Sequence, residues 1–189
     1  MPKAPVRKRF RVDEYYKLGA IGILNGECTE LVEGEIIEIG PVGACHAAAV
    51  SRVSQRLSSL LVGKALVRAR LPLGLNEYNQ PQPDIACVRL RRDFYELRHP
   101  GPADVFSILA ISDTALDYDR NLRVGVYAAL RIPECWVLDL ADSALLIFRA
   151  PSRGDYKTVL RFVPGDAVAL QAFPDIAIAV SDLIGSGQT

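Results

Sequence analysis

Few residues in this chain have both the type and the setting to do chemistry. Two histidines occur, His46 and His99, and neither lies in the G-x-S-x-G or papain-like setting that a nucleophilic triad needs. No G-x-G-x-x-G or G-x-x-x-x-G-K-S/T segment is present, so dinucleotides and nucleoside triphosphates lack their usual phosphate cradle. The four cysteines, Cys28, Cys45, Cys87 and Cys135, stand far apart with no C-x-x-C pair, a pattern of buried free thiols in a reducing cytoplasm. What remains is carboxylate chemistry at strand ends. Asp84 follows Pro83 and opens the apolar run Ile85-Ala86-Cys87-Val88, which places its carboxylate at a sheet edge on a restrained backbone. Such a group can hold Mg²⁺, which enlists one or two protein carboxylates together with water and phosphate oxygens. An aspartate after a proline also suits a turn or a cap. Arg89, Arg91, Arg92 and Arg98 interleave with Phe94 and Tyr95, a candidate nucleic-acid surface; Asp93 and Glu96 dilute it and equally suit a solvated loop.

Strands and helices must position these groups, and the composition supplies them. The chain has 189 residues, half of them hydrophobic, enough for one domain over 1–189 with a basic tail at 1–10 and a short tail at 185–189. With 22 Lys+Arg against 22 Asp+Glu the formal charge is zero, so no general basic field gathers nucleic acid and a polyanion must be met by a local patch. No apolar run approaches the roughly 18 residues of a membrane span. No apolar stretch follows the basic start as in a secretory signal, so a cytoplasmic protein is expected.

The periodicity predicts a short helix from Val12 to Leu18 with Asp13 as N-cap, then a hairpin over Thr29–Ile39 turning at Glu33-Gly34. A long amphipathic helix spans Ala44–Leu61, with His46 either capping it or facing a site. Strands follow at Ala65–Leu75, Asp84–Val88 and, most apolar and therefore central, Asp104–Ile111. A helix over Asp117–Leu130, stopped at Ile132-Pro133, leads to strands at Glu134–Leu140, Ala144–Ala150 and Asp155–Phe162, with a last short strand and helical turn within Phe173–Ile184. Trp136 reads as core. The whole order is that of one α/β domain, a mixed sheet flanked by two main helices with an N-terminal hairpin and C-terminal strands.

Several segments, in this order and spacing, resemble one family. They are E-L-V-E-G-E-I at 30–36, His46 before the long helix, P-Q-P-D at 81–84, S-D-T-A-L-D-Y-D-R at 112–120, Y-A-A-L-R-I-P-E-C-W-V-L-D-L at 127–140 and F-P-D-I at 173–176. Together they are similar to the Uma-two family, restriction-endonuclease-like bacterial proteins of the PD-(D/E)XK nuclease superfamily, from about Arg11 to Ile184. The resemblance implies a restriction-endonuclease-like core and a Mg²⁺-dependent endonuclease acting on DNA. It implies that Asp84 is the metal-binding aspartate and the Ile111 carbonyl a backbone metal ligand. Ala110 stands where the family has its second acidic residue, and Arg123 where it has a lysine on the following helix. Glu30 would be an additional acidic residue approaching the site, and His46 and Gln82 would lie beside it.

Two departures fall on positions that carry the chemistry. An alanine at 110 neither binds metal nor polarises water, so affinity for Mg²⁺ is expected to fall, with Glu30 or Asp113 the carboxylates placed to compensate. Arg123 keeps the charge and can clamp a phosphate, but its very high pKa bars proton exchange, so it favours binding over catalysis. Three readings follow: a DNA endonuclease impaired at Ala110, an inactive relative that binds nucleic acid or a protein, and a self-associating module. A homodimer is the simplest form for cutting duplex DNA.

Overall fold

The computed structural model describes residues 6–24, 28–112 and 117–185. Its centre is a six-stranded mixed sheet of β3 (Ala65–Ala69), β4 (Ile85–Arg89), β5 (Val105–Ser112), β6 (Glu134–Asp139), β7 (Ala144–Ser152) and β8 (Asp155–Phe162), in that spatial order. All neighbours are antiparallel except β5 and β6, whose parallel pairing needs a crossover, supplied by helix α3 (Asp117–Ala129). Before the sheet come α1 (Val12–Ala20), the hairpin β1 (Thr29–Val32) with β2 (Glu35–Glu38), and α2 (Ala44–Leu60); after it come the paired β9 (Ala167–Val168) and β10 (Ile178–Ala179) and the short α4 (Val180–Ile184).

Each central strand is buried on both faces, which is why β4, β5 and β6 read as nearly continuous apolar runs. Alternation assigns the faces. Ile85 and Cys87 of β4 and Leu109 and Ile111 of β5 pack under α2 and α4, against Val53, Leu57 and Leu183. Ala86 and Val88 of β4, Ile108 of β5 and Val137 of β6 pack under α3, against Val124, Tyr127 and Ala128. Asp84 and Ala110 share the parity of this second set and point toward α3.

Four details differ from the pattern read in the sequence. The first helix starts after Arg11, with Asp13 inside its first turn and not at the cap; Glu14 reaches back to accept the Arg11 N–H at 2.8 Å. Strand β3 ends at Ala69, because Arg70 adopts a left-handed φ of +50° and pulls the chain off the ladder. Cys28 and Cys45 are exposed, and Cys87 and Cys135 are buried; all four are free thiols. Residues 7–10 lie along the hairpin, with the Phe10 N–H donating to Gly34 O at 2.8 Å. Trp136 is core, 1% exposed. Among the described residues no helix is long and apolar enough to cross a membrane.

Candidate active site

Asp84 sits one residue beyond the last β4–β5 pair, Ile85 with Leu109, so it faces Ala110 across the ladder. Its carboxylate is held from two sides: Oδ2 accepts the Ile111 N–H at 2.9 Å, and Oδ1 lies 2.9 Å from His46 Nε2. His46 does not cap α2. That helix is preceded by Gly43 at its N-cap, with no side-chain cap, and the imidazole reaches instead to Asp84. On a strand a residue's N–H and C=O project to the same side, so the Ile111 carbonyl faces the Asp84 side as well. Arg70, from the end of β3, completes this half of the site, with Nη1 3.6 Å from Asp84 Oδ1.

The other half is built on a buried charge. Glu30 of β1 is fully buried; its Oε1 lies 2.7 Å from Arg123 Nη2, and its Oε2 accepts the Gln82 N–H at 2.9 Å. Gln82 returns its side-chain amide to the Thr29 carbonyl at 2.9 Å, so the hairpin and the loop that carries Asp84 are locked together. One turn beyond Arg123, burial and then the nearby Glu30 carboxylate push the Tyr127 hydroxyl's pKa far up, and it stays protonated. Between the halves lies a cavity of about 310 Å³, lined by His46, Arg70, Gln82, Asp84, Ala110, Ile111 and Arg123, by the 39–43 loop, and by Val124, Tyr127 and Val137.

The fold thus gathers Asp84, Ala110, Ile111, Arg123, His46 and Gln82 around one cavity, with Glu30 behind Arg123. Arg89, Arg91 and Arg92 lie elsewhere, at and beyond the far end of β4, a five-residue strand that spans roughly 16 Å. Arg89 donates to the Ala103 carbonyl and stacks on Phe106; Arg91 forms a two-bonded pair with Asp93 and, like Arg98, lies over the Tyr95 ring; Arg92 is exposed. Asp113 falls outside the described residues. Arg70 was not singled out in the sequence, since alternation placed it within a longer strand; Pro72, two residues on, is the local signal of a strand end.

Restriction-endonuclease-like proteins are usually metal-dependent, and the residues present can be tested against a divalent cation. Among the described residues no three His, Cys, Asp or Glu side chains are grouped to hold one. Asp84 is already engaged by His46 and the Ile111 N–H, Glu30 is committed to Arg123, Ala110 offers no side-chain oxygen, and two guanidinium groups face the same space. This donor set does not fit a resident Mg²⁺.

Comparison with known proteins agrees with this architecture. The structure is similar to that of a putative nuclease belonging to DUF820 from Anabaena variabilis, with a TM-score of 0.71 at 17% identity, covering 95% of this chain and 98% of that one. No curated protein matches. The model of the Uma2 family, described as putative restriction endonuclease, matches residues 12–181. With that match running from α1 to α4, the chain belongs to the Uma2, or Uma-two, family of restriction-endonuclease-like proteins.

Proposed function

We propose that this protein binds nucleic-acid phosphate at the cavity between Asp84 and Arg123 and that its phosphodiester cleavage is strongly impaired. Ala110 carries the reading: it lies across the ladder from Asp84 and lines the cavity, where a second carboxylate would share the work of activating water. Phosphodiester hydrolysis needs a proton acceptor near the attacking water and compensation for charge that builds on the phosphate. Asp84 is the one carboxylate on the cavity wall among the described residues, oriented by His46 and the Ile111 N–H. Arg123 and Arg70 supply positive charge without a transferable proton. Binding is therefore favoured over turnover, and DNA is the substrate class that the family description suggests.

The test uses supercoiled and linear DNA with Mg²⁺ or Mn²⁺. The chain as it stands is expected to retain DNA at low salt and to cut it weakly or not at all. The double variant Ala110→Glu with Arg123→Lys is expected to gain cleavage, and adding Asp84→Ala should abolish that gain. Cleavage by the unaltered chain at the rate of the double variant would refute the impairment. Absence of both retention and cleavage in every variant would refute the nucleic-acid reading itself.

A further inference from the structure

We infer that the cavity takes one unpaired nucleotide, its phosphate on Arg70 and its base against the apolar wall, so that single-stranded nucleic acid is preferred over duplex. This rests on the nucleic-acid reading above and narrows it.

Arg70 is the first observation. Its φ of +50° is a left-handed conformation that non-glycine residues adopt at a cost, and such strain collects at functional sites. The backbone is fixed there by its own N–H, shared between the Pro83 and Asp84 carbonyls at 3.2 and 3.0 Å. The strained residue is thus tied to the segment that carries Asp84. Its side chain, 33% exposed, lines the cavity, yet its guanidinium makes no hydrogen bond to any described residue. Its ion pair with Asp84 stands at 3.6 Å, well beyond the roughly 2.7–2.9 Å of a charge-assisted bond. Arg123, across the cavity, is by contrast committed to Glu30 at 2.7 Å. Arg70 therefore presents a planar fork of donors to the cavity, the geometry that phosphate oxygens satisfy in pairs.

The cavity's size and walls are the second observation. About 310 Å³ lies at the low end of the roughly 300–1,000 Å³ of small-molecule sites, which admits one nucleotide-sized group and excludes a duplex. One part of its lining is apolar, Pro41 and Val42 from the loop before α2, Val124 from α3 and Val137 from β6, beside the polar His46, Gln82, Asp84, Ser112 and Arg123. A base that is paired and stacked in a duplex cannot reach this wall, whereas an unpaired one can, burying its face while its phosphate stays with the arginine.

Fluorescence polarisation at low salt with a labelled single-stranded 12-mer, the blunt duplex of the same sequence, and an unlabelled 5′-mononucleotide as competitor tests the inference. The single strand should bind at least tenfold tighter than the duplex. Competition by the mononucleotide at millimolar concentration would place recognition in the single unit; competition by long single strands only would overturn the one-nucleotide cavity. Arg70→Gly suits the left-handed backbone, so its Tm should stay within a few degrees while affinity for the single strand falls at least tenfold. Arg70→Lys, which keeps the charge without the fork, should fall between. Equal binding of duplex and single strand, or full affinity in Arg70→Gly, overturns this inference and leaves the nuclease reading standing if the Ala110→Glu, Arg123→Lys variant cuts DNA. If nothing binds and nothing cuts, both fail.

Discussion

Replacing Glu30 by glutamine removes one buried charge and alters almost no volume, so it isolates the ion pair beneath the cavity. Glu30 is 0% exposed; its partner Arg123 retains 26% of its side-chain surface. Removing one partner of a buried pair costs about 3–5 kcal/mol, because the other charge is left uncompensated. Glutamine preserves an oxygen for the Gln82 N–H, and Arg123 can turn toward the cavity and rehydrate, which sets the cost near the low end, about 3 kcal/mol. In a domain of this length each kcal/mol moves Tm by about 2–4 °C, so a drop of about 6–12 °C is expected in a thermal unfolding scan followed by circular dichroism. The molecule contains its own control. Glu134 is also 0% exposed, pairs with Arg149 at 2.6 Å and accepts the Gln171 N–H at 2.8 Å, but it secures the 169–171 segment and not the cavity. Glu134→Gln should lower Tm by a similar amount and leave nucleic-acid affinity unchanged. Glu30→Gln, measured well below its Tm, should hold or raise affinity, since a freed Arg123 adds a second cation to the proposed phosphate site. A Tm shift below about 2 °C for Glu30→Gln beside a full shift for Glu134→Gln would refute the buried pair.

Three further outcomes are expected. The Tyr16 hydroxyl accepts from Gln80 Nε2 at 2.6 Å and lies 3.1 Å from His99 Nε2. Burial and then the charge of Arg68 hold the His99 pKa below its usual value, with Arg98 also bonded to the His99 carbonyl. The unfolded chain then binds the proton first as pH falls. This contribution to stability is therefore full above about pH 6.5 and erodes below it, and urea midpoints at pH 7.5 and 5.5 should differ less in His99→Gln. Gly34 holds φ +80° in the β1–β2 turn, and a Cβ there would meet Arg9 Cβ at 2.8 Å, so Gly34→Ala should cost about 1–3 kcal/mol, read as a lowered Tm. Leu57, 1% exposed on the sheet side of α2, should cost about 3 kcal/mol as Leu57→Ala, read from the urea midpoint at unchanged m-value.

The core strands and α2 were legible because burial on both faces, or on one helical stripe, writes itself directly into residue order. Strand β3 was not: alternation runs on through Leu73 and Leu75, both buried under the α3 face, although the ladder ends at Ala69. There burial alternates without strand pairing, and periodicity cannot separate the two. In the site, the meeting of Asp84, Ala110, His46, Arg123 and Glu30 was implied by the family resemblance and not by periodicity or element order. That Glu30 pairs with Arg123, and that Arg70 joins the site, depend on how the hairpin and the β3 end dock, which no local signal encodes. The arginines at 89–98 show the converse. A dense run of positive residues became a set of local pairings with Asp93, Asp104 and aromatic rings, because charge density along a chain takes no account of the partners that folding brings beside it.

The zero net charge of the chain acquires its meaning at residue 110. Among the described residues, the ionised side chains on the cavity wall are Asp84, Arg70 and Arg123, with Glu30 standing behind Arg123 as its counterion. Two positive charges thus meet two negative ones, and Arg123 and the buried Glu30 are committed to each other. What the cavity presents to a ligand is Asp84 beside Arg70, a pair at 3.6 Å whose arginine still has its donors to give. A glutamate at 110 would add a carboxylate across the ladder from Asp84, turn the balance negative and make the same space a trap for a divalent cation. Alanine does the reverse. It removes an oxygen ligand and, by the same stroke, removes the charge that would repel an unaccompanied phosphate. On the proposed reading, impaired metal-assisted cleavage and phosphate binding by Arg70 without an intervening ion share one cause, so the two effects must appear or vanish together: the Ala110→Glu chain should bind single-stranded nucleic acid less tightly than the present one when no divalent cation is added, and regain that affinity when Mg²⁺ is supplied.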